Sequence, residues 1–433
     1  MKTKNWIKAA FLNFIAFSLA VTTGCSSDSS ISVLPSTDNF TQNGTSITAK
    51  MDIIWLIDNS GSMGPYQDSL QAEFDNFISE FVSNDFDFQM AVVATDAWML
   101  SNNNLVTPNF NNVDQSGSQV NSAYSSVFGG GVCNSSTTVS SSFLNGPGND
   151  GSTGLSIIST QNSDIDFTLT DDAQDPDSSD DVEQIFSQNI GQGTIGCGLE
   201  SGLNSLRAAL ENPNNAGFLR PDAHLAVILV SDEEDEVITL QPTGSSSFFF
   251  DETAESMNAY LSSITNEQQG YSFHSITVLP DTIGAVDPSS SISNGRFCLD
   301  NEGNILTVKD ENDNEINVNL HPAASVGSTY VALSELAGGV VASICEPFAQ
   351  TLQNIATTII EISVEFPLTA TPQDPNGLIV SVRNPGETEF TAIPQDPDNG
   401  FTYNAERNSI IFHGDAIPMQ GAELNILFDP TGI

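Results

Sequence analysis

Hydrophobic positions along the chain alternate between two periods. Met51, Ile53, Ile54, Trp55, Leu56 and Ile57 form a nearly unbroken apolar run, the mark of a strand buried on both faces of a parallel sheet. Leu70, Phe74, Phe77 and Phe81 then recur at intervals of four, three and four, which predicts one helix packing an apolar stripe on that sheet. Residues 86–95 read as the next strand, ending at Thr95-Asp96, with Asp96 read as a solvated strand end rather than an outer-sphere metal partner. Val182, Ile185 and Phe186 mark a short helix over 179–190, and Leu199, Leu203, Leu206 and Leu210 mark a second. His224–Ser231 is another buried strand, followed by a helix over 252–266 and a strand over 271–279. A short helix falls within 330–345, and Phe348, Leu352, Ile355 and Ile359 line a last one. Strands alternating with helices predict an α/β domain over residues 50–364, a doubly wound, mostly parallel sheet flanked by helices.

Three stretches break that rhythm. Residues 101–176 are rich in Asn, Ser, Gly and Asp with no lasting periodicity and read as a long insertion on the ligand side of the sheet. Ile165, Phe167 and Leu169 are the expected return to the sheet edge. Residues 296–320 read as a hairpin turning at Asp300–Asn304, and Asp310–Glu315 as a second acidic turn, since it lacks the spacing and Gly of an EF-hand loop. From Glu365 onward, short alternating runs separated by Asp-Pro, Pro-Gly and Asn-Gly signals predict a small all-β, sandwich-like domain over 365–433, a spacer or docking module.

The N-terminus has the layout of a targeting segment. Lys2, Lys4 and Lys8 precede the apolar residues 9–21, and small residues lead to Gly24-Cys25; this is a signal peptide, too short for a membrane span. Ending on Gly-Cys, residues 1–24 resemble a bacterial lipoprotein signal, although Thr22 stands where that family prefers Leu. The resemblance implies acylation of Cys25 and, with Ser rather than Asp at position 26, an outer-membrane address. Several acyl chains on one Cys anchor a protein stably, whereas one is marginal. Plain secretion with Cys25 as an ordinary thiol is the other reading. Residues 25–49, rich in Ser, Thr, Asn and Asp, read as a flexible tether. Cys133, Cys197, Cys298 and Cys345 remain, an even number in an exported chain. Three connectivities are open; the expected one joins neighbours in chain order, Cys133 to Cys197 and Cys298 to Cys345.

Charge removes one class of partner. Ten Lys and Arg against 55 Asp and Glu give a net charge of −45, so no basic patch for nucleic-acid phosphates can be assembled. Acidic residues are spread along a chain of ordinary aliphatic content, which describes an acidic folded protein and a surface that concentrates cations.

Candidate chemistry collects where strands end. Past Ile57 the chain reads Asp58-Asn59-Ser60-Gly61-Ser62, a carboxylate and two hydroxyls at alternate positions. These hard oxygen donors suit Mg²⁺, Mn²⁺ or Ca²⁺; a helix-capping turn uses similar residues. The Gly-rich loop 191–198 lacks the Lys of a phosphate-binding loop. The strand 224–231 runs into Asp232-Glu233-Glu234-Asp235-Glu236, where Glu233 to Glu236 read as a solvated face. This ordered set resembles the metal-ion-dependent adhesion site of von Willebrand factor type A domains. The resemblance covers roughly residues 50–362, interrupted by the insertion, and implies that Asp58, Ser60, Ser62, Thr194 and Asp232 hold a divalent cation, Mg²⁺ first, with Mn²⁺ or Ca²⁺ as alternatives. The other role for Thr194 is to cap the helix that follows. More loosely, the phrase Asn215–Arg220 resembles secreted bacterial lipoproteins that carry such a domain.

The implied function is a lipid-anchored extracytoplasmic binding or adhesion protein, engaging a carboxylate on a protein or cell-surface ligand through the cation. Two alternatives stand beside it: a structural envelope protein whose metal serves stability, and a metal-dependent hydrolase. His224, His274, His321 and His413 are scattered, and neither a G-x-S-x-G elbow nor an H-E-x-x-H pair is present, so the expectation is that the chain is not an enzyme.

Overall fold

The computed structural model describes residues 36–40, 50–83, 86–100, 156–167, 181–194, 196, 200–235, 237–240, 246–249, 252–265, 270–290, 294–300, 302–309, 315–405, 407–419 and 421–431. The fold is mixed α/β, with one six-stranded, mostly parallel sheet and several small antiparallel sheets.

The large sheet consists of β1 (Lys50–Ile57), β2 (Asp87–Ala94), β3 (Ile157–Ser159), β4 (His224–Ser231), β5 (Tyr271–Thr277) and β6 (Val341–Ser343), in the spatial order β6-β5-β4-β1-β2-β3. All neighbours are parallel except β3, which runs antiparallel to β2. Every residue of β4 and all but the first of β1 are buried, because both faces are covered. Ile53, Trp55 and Ile57 face one apolar layer, Ile54 and Leu56 the other.

Helices α1 (Gly64–Ala72), α2 (Phe74–Ser83), α3 (Val182–Ile190) and α7 (Phe348–Ser363) cover the first face. Helices α4 (Gly202–Glu211), α5 (Ala254–Ile264) and α6 (Ser328–Leu336) cover the second. The stripe Leu70, Phe74, Phe77, Phe81 is fully buried, which at roughly 1.5–3 kcal/mol per large apolar side chain makes it a principal anchor of the sheet. It lies on two helices rather than one, since the chain breaks at Glu73, the C-cap of α1. Trp55 sits at the centre of this layer, edge-on to Phe77 and Phe186.

β1 leads to β2 on one side, while β4 pairs with the other side of β1. The strand order therefore reverses between β1 and β4, and in open α/β sheets the carboxyl ends of strands at such a point form a ligand crevice. Asp58 and Asp232 follow those two strands.

The return of the insertion to the sheet edge is made by Ile157–Ser159, eight residues before the expected position; Ile165 is buried and Phe167 packs edge-on to Phe88. Leu169 lies outside the described residues. β6 stands where the sequence suggested only a short helix.

Residues 278–327 leave the sheet at the end of β5, on the crevice side. The strands Ile283–Val286, Arg296–Cys298 and Asn319–Leu320 pair there, and the turn at Asp300–Asn304 forms as expected, with Asn304 N–H and Glu302 N–H both donating to Asp300 Oδ1. Thr307–Lys309 pairs with Glu315–Asn317; residues 310–314 lie outside the described residues. The disulfide Cys298–Cys345 ties this excursion to the segment between β6 and α7. Cys25, Cys133 and Cys197 lie outside the described residues, and with them the acylation and the other expected pairing.

Beyond α7, Ile379–Arg383, Thr391–Ile393 and Glu423–Phe428 form one antiparallel sheet and Phe366–Pro367, Phe401–Asn404 and Ser409–Phe412 another. Val380, Val382, Leu424 and Ile426 of the first share an apolar layer with Phe366, Phe401, Ile410 and Phe412 of the second. Ser36–Phe40, within the stretch read as a tether, is a strand here, paired antiparallel with Glu423–Phe428. His413 Nδ1 lies 2.7 Å from Glu361 Oε1, joining this module to the end of α7.

Candidate metal centre

Three segments far apart in sequence meet at the crevice. Asp58 is fully buried, and its two oxygens are fixed separately: Ser60 N–H donates to Oδ1 at 2.7 Å and Ser231 Oγ–H donates to Oδ2 at 2.7 Å. The first bond closes the tight turn that Gly61 continues; the second comes from the last residue of β4. Ser60 Oγ and Ser62 Oγ share a hydrogen bond at 3.0 Å, and Ser62 Oγ–H donates to Asp232 Oδ1 at 2.8 Å. Three of the five candidate ligands thus form one contiguous chain of side-chain oxygens, and Asp58 joins it through the backbone N–H of Ser60.

The fifth lies beside them. Gly196 N–H donates to Asn59 C=O at 2.9 Å, which brings the 191–196 loop against the first. A side chain at Gly196 would meet Asn59 atoms at 2.5–2.6 Å, so the approach requires glycine. Thr194 Cγ2 lies 3.3 Å from where a Cβ on Gly64 would sit, and Thr194 is exposed at the rim. The capping role is excluded: α4 begins at Gly202 with Ser201 as its N-cap.

Several further acidic residues are built into this edge. Glu200 is fully buried and accepts a hydrogen bond from Thr95 Oγ–H; its Oε1 has no hydrogen-bond partner. Asp96 is fully buried rather than solvated. In the acidic run, Asp235 is fully buried and accepts from Leu203 N–H and Tyr330 O–H, both at 3.1 Å. Glu234 accepts from Ser328 N–H and Thr329 N–H at the start of α6. Glu234 and Asp235 are therefore built into the fold rather than lying on a solvated face, and Glu236 lies outside the described residues. Ser325 N–H donates to Asp232 C=O at 3.0 Å, placing the 278–327 excursion on the crevice rim.

Burial shapes the electrostatics. It raises the Asp58 carboxyl above its ordinary value and pushes Asp232 up to about 7, the charge of Asp58 adding to the second shift. Burial likewise lifts Glu200 well above the carboxylate range, with Asp58 beside it. No Lys or Arg pairs with Asp58, Asp232 or Glu200 among the described residues. Uncompensated buried carboxylates of this kind favour either a proton or a cation.

The donor set fits a hard divalent cation. Asp232 Oδ2 is buried without a hydrogen-bond partner, next to the two serine hydroxyls. Among the described residues no group of three Asp, Glu, His or Cys converges as a metal cluster; the oxygens that do converge are the Ser60 and Ser62 hydroxyls and the Asp232 carboxylate. With both oxygens engaged, Asp58 is placed to orient Ser60 and the loop, while Asp232 offers a free oxygen.

Neither a described protein family nor a curated protein matches the chain. Among solved structures it is similar to the pilus adhesin SpaC from Lactobacillus rhamnosus GG in its open conformation, with 10% identity, TM-score 0.30, and coverage of 91% of this chain and 42% of that one. It is also similar to the pilus adhesin RrgA from Streptococcus pneumoniae, with 10% identity, TM-score 0.20, and coverage of 90% and 57%. The three N-terminal domains of the type V pili tip protein Mfa5 from Porphyromonas gingivalis give 10% identity, TM-score 0.25, and coverage of 89% and 63%. The chain spans less than two thirds of the length of each. At these scores the functional reading rests on the residues of the crevice. Among the described residues no helix is long and apolar enough to cross a membrane.

Proposed function

We propose that this chain is an extracytoplasmic binding protein whose α/β domain is of the von Willebrand factor A type, and that it engages a carboxylate on a protein or cell-surface ligand through a divalent cation. Ser60, Ser62 and Thr194 supply neutral hydroxyls, Asp232 supplies a carboxylate oxygen, and Asp58 orients the first loop. A cation held mainly by neutral donors keeps charge to attract an external carboxylate; this is the chemistry the metal supplies when bound. Mg²⁺ is the proposed ion, with Mn²⁺ and Ca²⁺ as competitors, and acylated Cys25 is the proposed attachment to the outer membrane. The role is binding without turnover.

The observation that carries this reading is the contiguous chain Ser60–Ser62–Asp232 at the point where strand order reverses, ending on a buried carboxylate oxygen with no protein donor. Titration of the full chain with Mg²⁺, Mn²⁺ and Ca²⁺ by calorimetry, against Asp58→Ala, tests it. Saturable binding lost in the variant supports the reading; a wild type that binds none of the three overturns it.

One observation favours a second reading. Asp232, Asp235 and Glu200 are all buried with an oxygen lacking a partner, so a cation here serves stability whether or not a ligand follows. A melting temperature that rises with metal, with no partner gained or lost on chelation, selects that reading.

A further inference from the structure

Gln67 lies one turn into α1, is buried, and hydrogen-bonds backbone groups rather than the candidate ligands' side chains. Its carboxamide makes three hydrogen bonds. Nε2–H donates to Asp58 C=O at 2.8 Å and to Gly193 C=O at 2.9 Å, while Oε1 accepts from Gly193 N–H at 3.1 Å. The amide thus bonds both backbone groups of Gly193, as a neighbouring strand would. Gly193 holds φ at +76°, the left-handed region that favours glycine, and turns both groups toward Gln67. The orientation of the amide is fixed: flipping it sets oxygen against two carbonyls and N–H against N–H.

Asp58 and Gly193 are the neighbours of the two halves of the centre. One opens the loop with Ser60 and Ser62; the other precedes Thr194. Both loops are held to one side chain that itself sits on a helix locked into the core by Leu70. We infer that Gln67 is a positioning residue: it fixes the Thr194 loop against the Asp58–Ser62 loop before any cation arrives, so that metal binding need not order that loop. The inference rests on the metal reading above and adds to it a preassembled third ligand. Outer residues that orient metal ligands alter affinity by roughly 10–100-fold, and the ordering cost avoided here is of that kind.

The test compares the full chain with Gln67→Met, Thr194→Ala and the double variant, at a temperature well below every melting transition. Calorimetric Mg²⁺ affinity and amide exchange at Gly193 in chelator are read. Gln67→Met is expected to weaken Mg²⁺ by roughly 10–100-fold, to expose the Gly193 amide to exchange without metal, and to add little to Thr194→Ala in the double variant. Wild-type affinity in Gln67→Met, or losses that add in full with Thr194→Ala, overturn the inference. A wild type that binds no cation fells the metal reading instead; exchange then decides alone, and a Gly193 amide as protected in Gln67→Met as in wild type overturns the hold on the loop. Should Gln67→Met fail to fold, Gln67→Ala, which leaves space for water, carries the same measurements.

Discussion

Ser231 Oγ–H donates to Asp58 Oδ2 at 2.7 Å, so the last residue of β4 fixes the first residue beyond β1. The bond spans the point where strand order reverses, and it holds a buried carboxylate in one orientation. Ser231→Ala leaves Asp58 Oδ2 without that donor, and the expected cost is about 1–3 kcal/mol of stability. Urea unfolding in chelator measures it. A variant as stable as wild type refutes the assignment.

Asp235 sets a pH dependence. Burial pushes its carboxyl up to about 7, against 3.8 for an ordinary aspartate. The folded state binds this proton more tightly than the unfolded state, so the stabilisation is complete below about pH 4 and is lost as pH rises through about 7. Metal-free protein therefore melts at a lower temperature at pH 8 than at pH 5. Asp235→Asn is expected to reduce that drop without abolishing it, because Asp232 titrates in the same window. Melting curves at the two pH values decide; an equal drop in both proteins rules out Asp235 as a source.

At the opposite edge of the sheet, Arg220 Nε–H donates to Asp52 Oδ1 and Nη1–H to Asp87 Oδ1, both at 2.7 Å, and Arg220 N–H donates to Asp52 Oδ2 at 2.6 Å. Asp52 is fully buried. Arg220→Met strips a buried carboxylate of its cation, which costs about 3–5 kcal/mol. Since this clamp lies at the start of β1 and β2, Mg²⁺ affinity measured below the lowered melting temperature stays that of wild type.

Cys298 and Cys345 are 47 residues apart, and on the chain-entropy account closing such a loop stabilises by roughly 4 kcal/mol. Replacing both by Ser is expected to lower the melting temperature and to loosen the 278–327 excursion first. Amide exchange at Ser325, which donates to Asp232 C=O, reports whether the loosening reaches the crevice.

How much of this was legible in the sequence divides along range of interaction. The apolar runs of β1 and β4 needed only local period, and Asp58, Ser60, Ser62 and Asp232 followed because they stand directly at strand ends. Gln67, Glu200 and Ser231 were missed because their partners are distant in sequence. A trace was present for two of them. Gln67 falls three positions before Leu70 and Glu200 three before Leu203, so each is a polar residue on an apolar stripe, where burial demands a partner. Glu234 and Asp235 misled in the opposite direction, since charge runs on surfaces are common and the N-terminus of α6, which Glu234 caps, arrives much later in the chain. The phrase ending at Arg220 was noticed for its resemblance, but its clamp on Asp52 and Asp87 is invisible without the sheet.

The pairing of Ser36–Phe40 with Glu423–Phe428 bears on the order of assembly. Ser36–Phe40 precedes the whole large sheet in the chain and Glu423–Phe428 follows it, so this ribbon cannot close until nearly all of the chain has been made. Until then the edge of Glu423–Phe428 that Ser36–Phe40 covers is absent or open, and an open edge is a template for pairing between molecules. A folding intermediate with a finished crevice and an unfinished C-terminal module is thus the species most exposed to self-association.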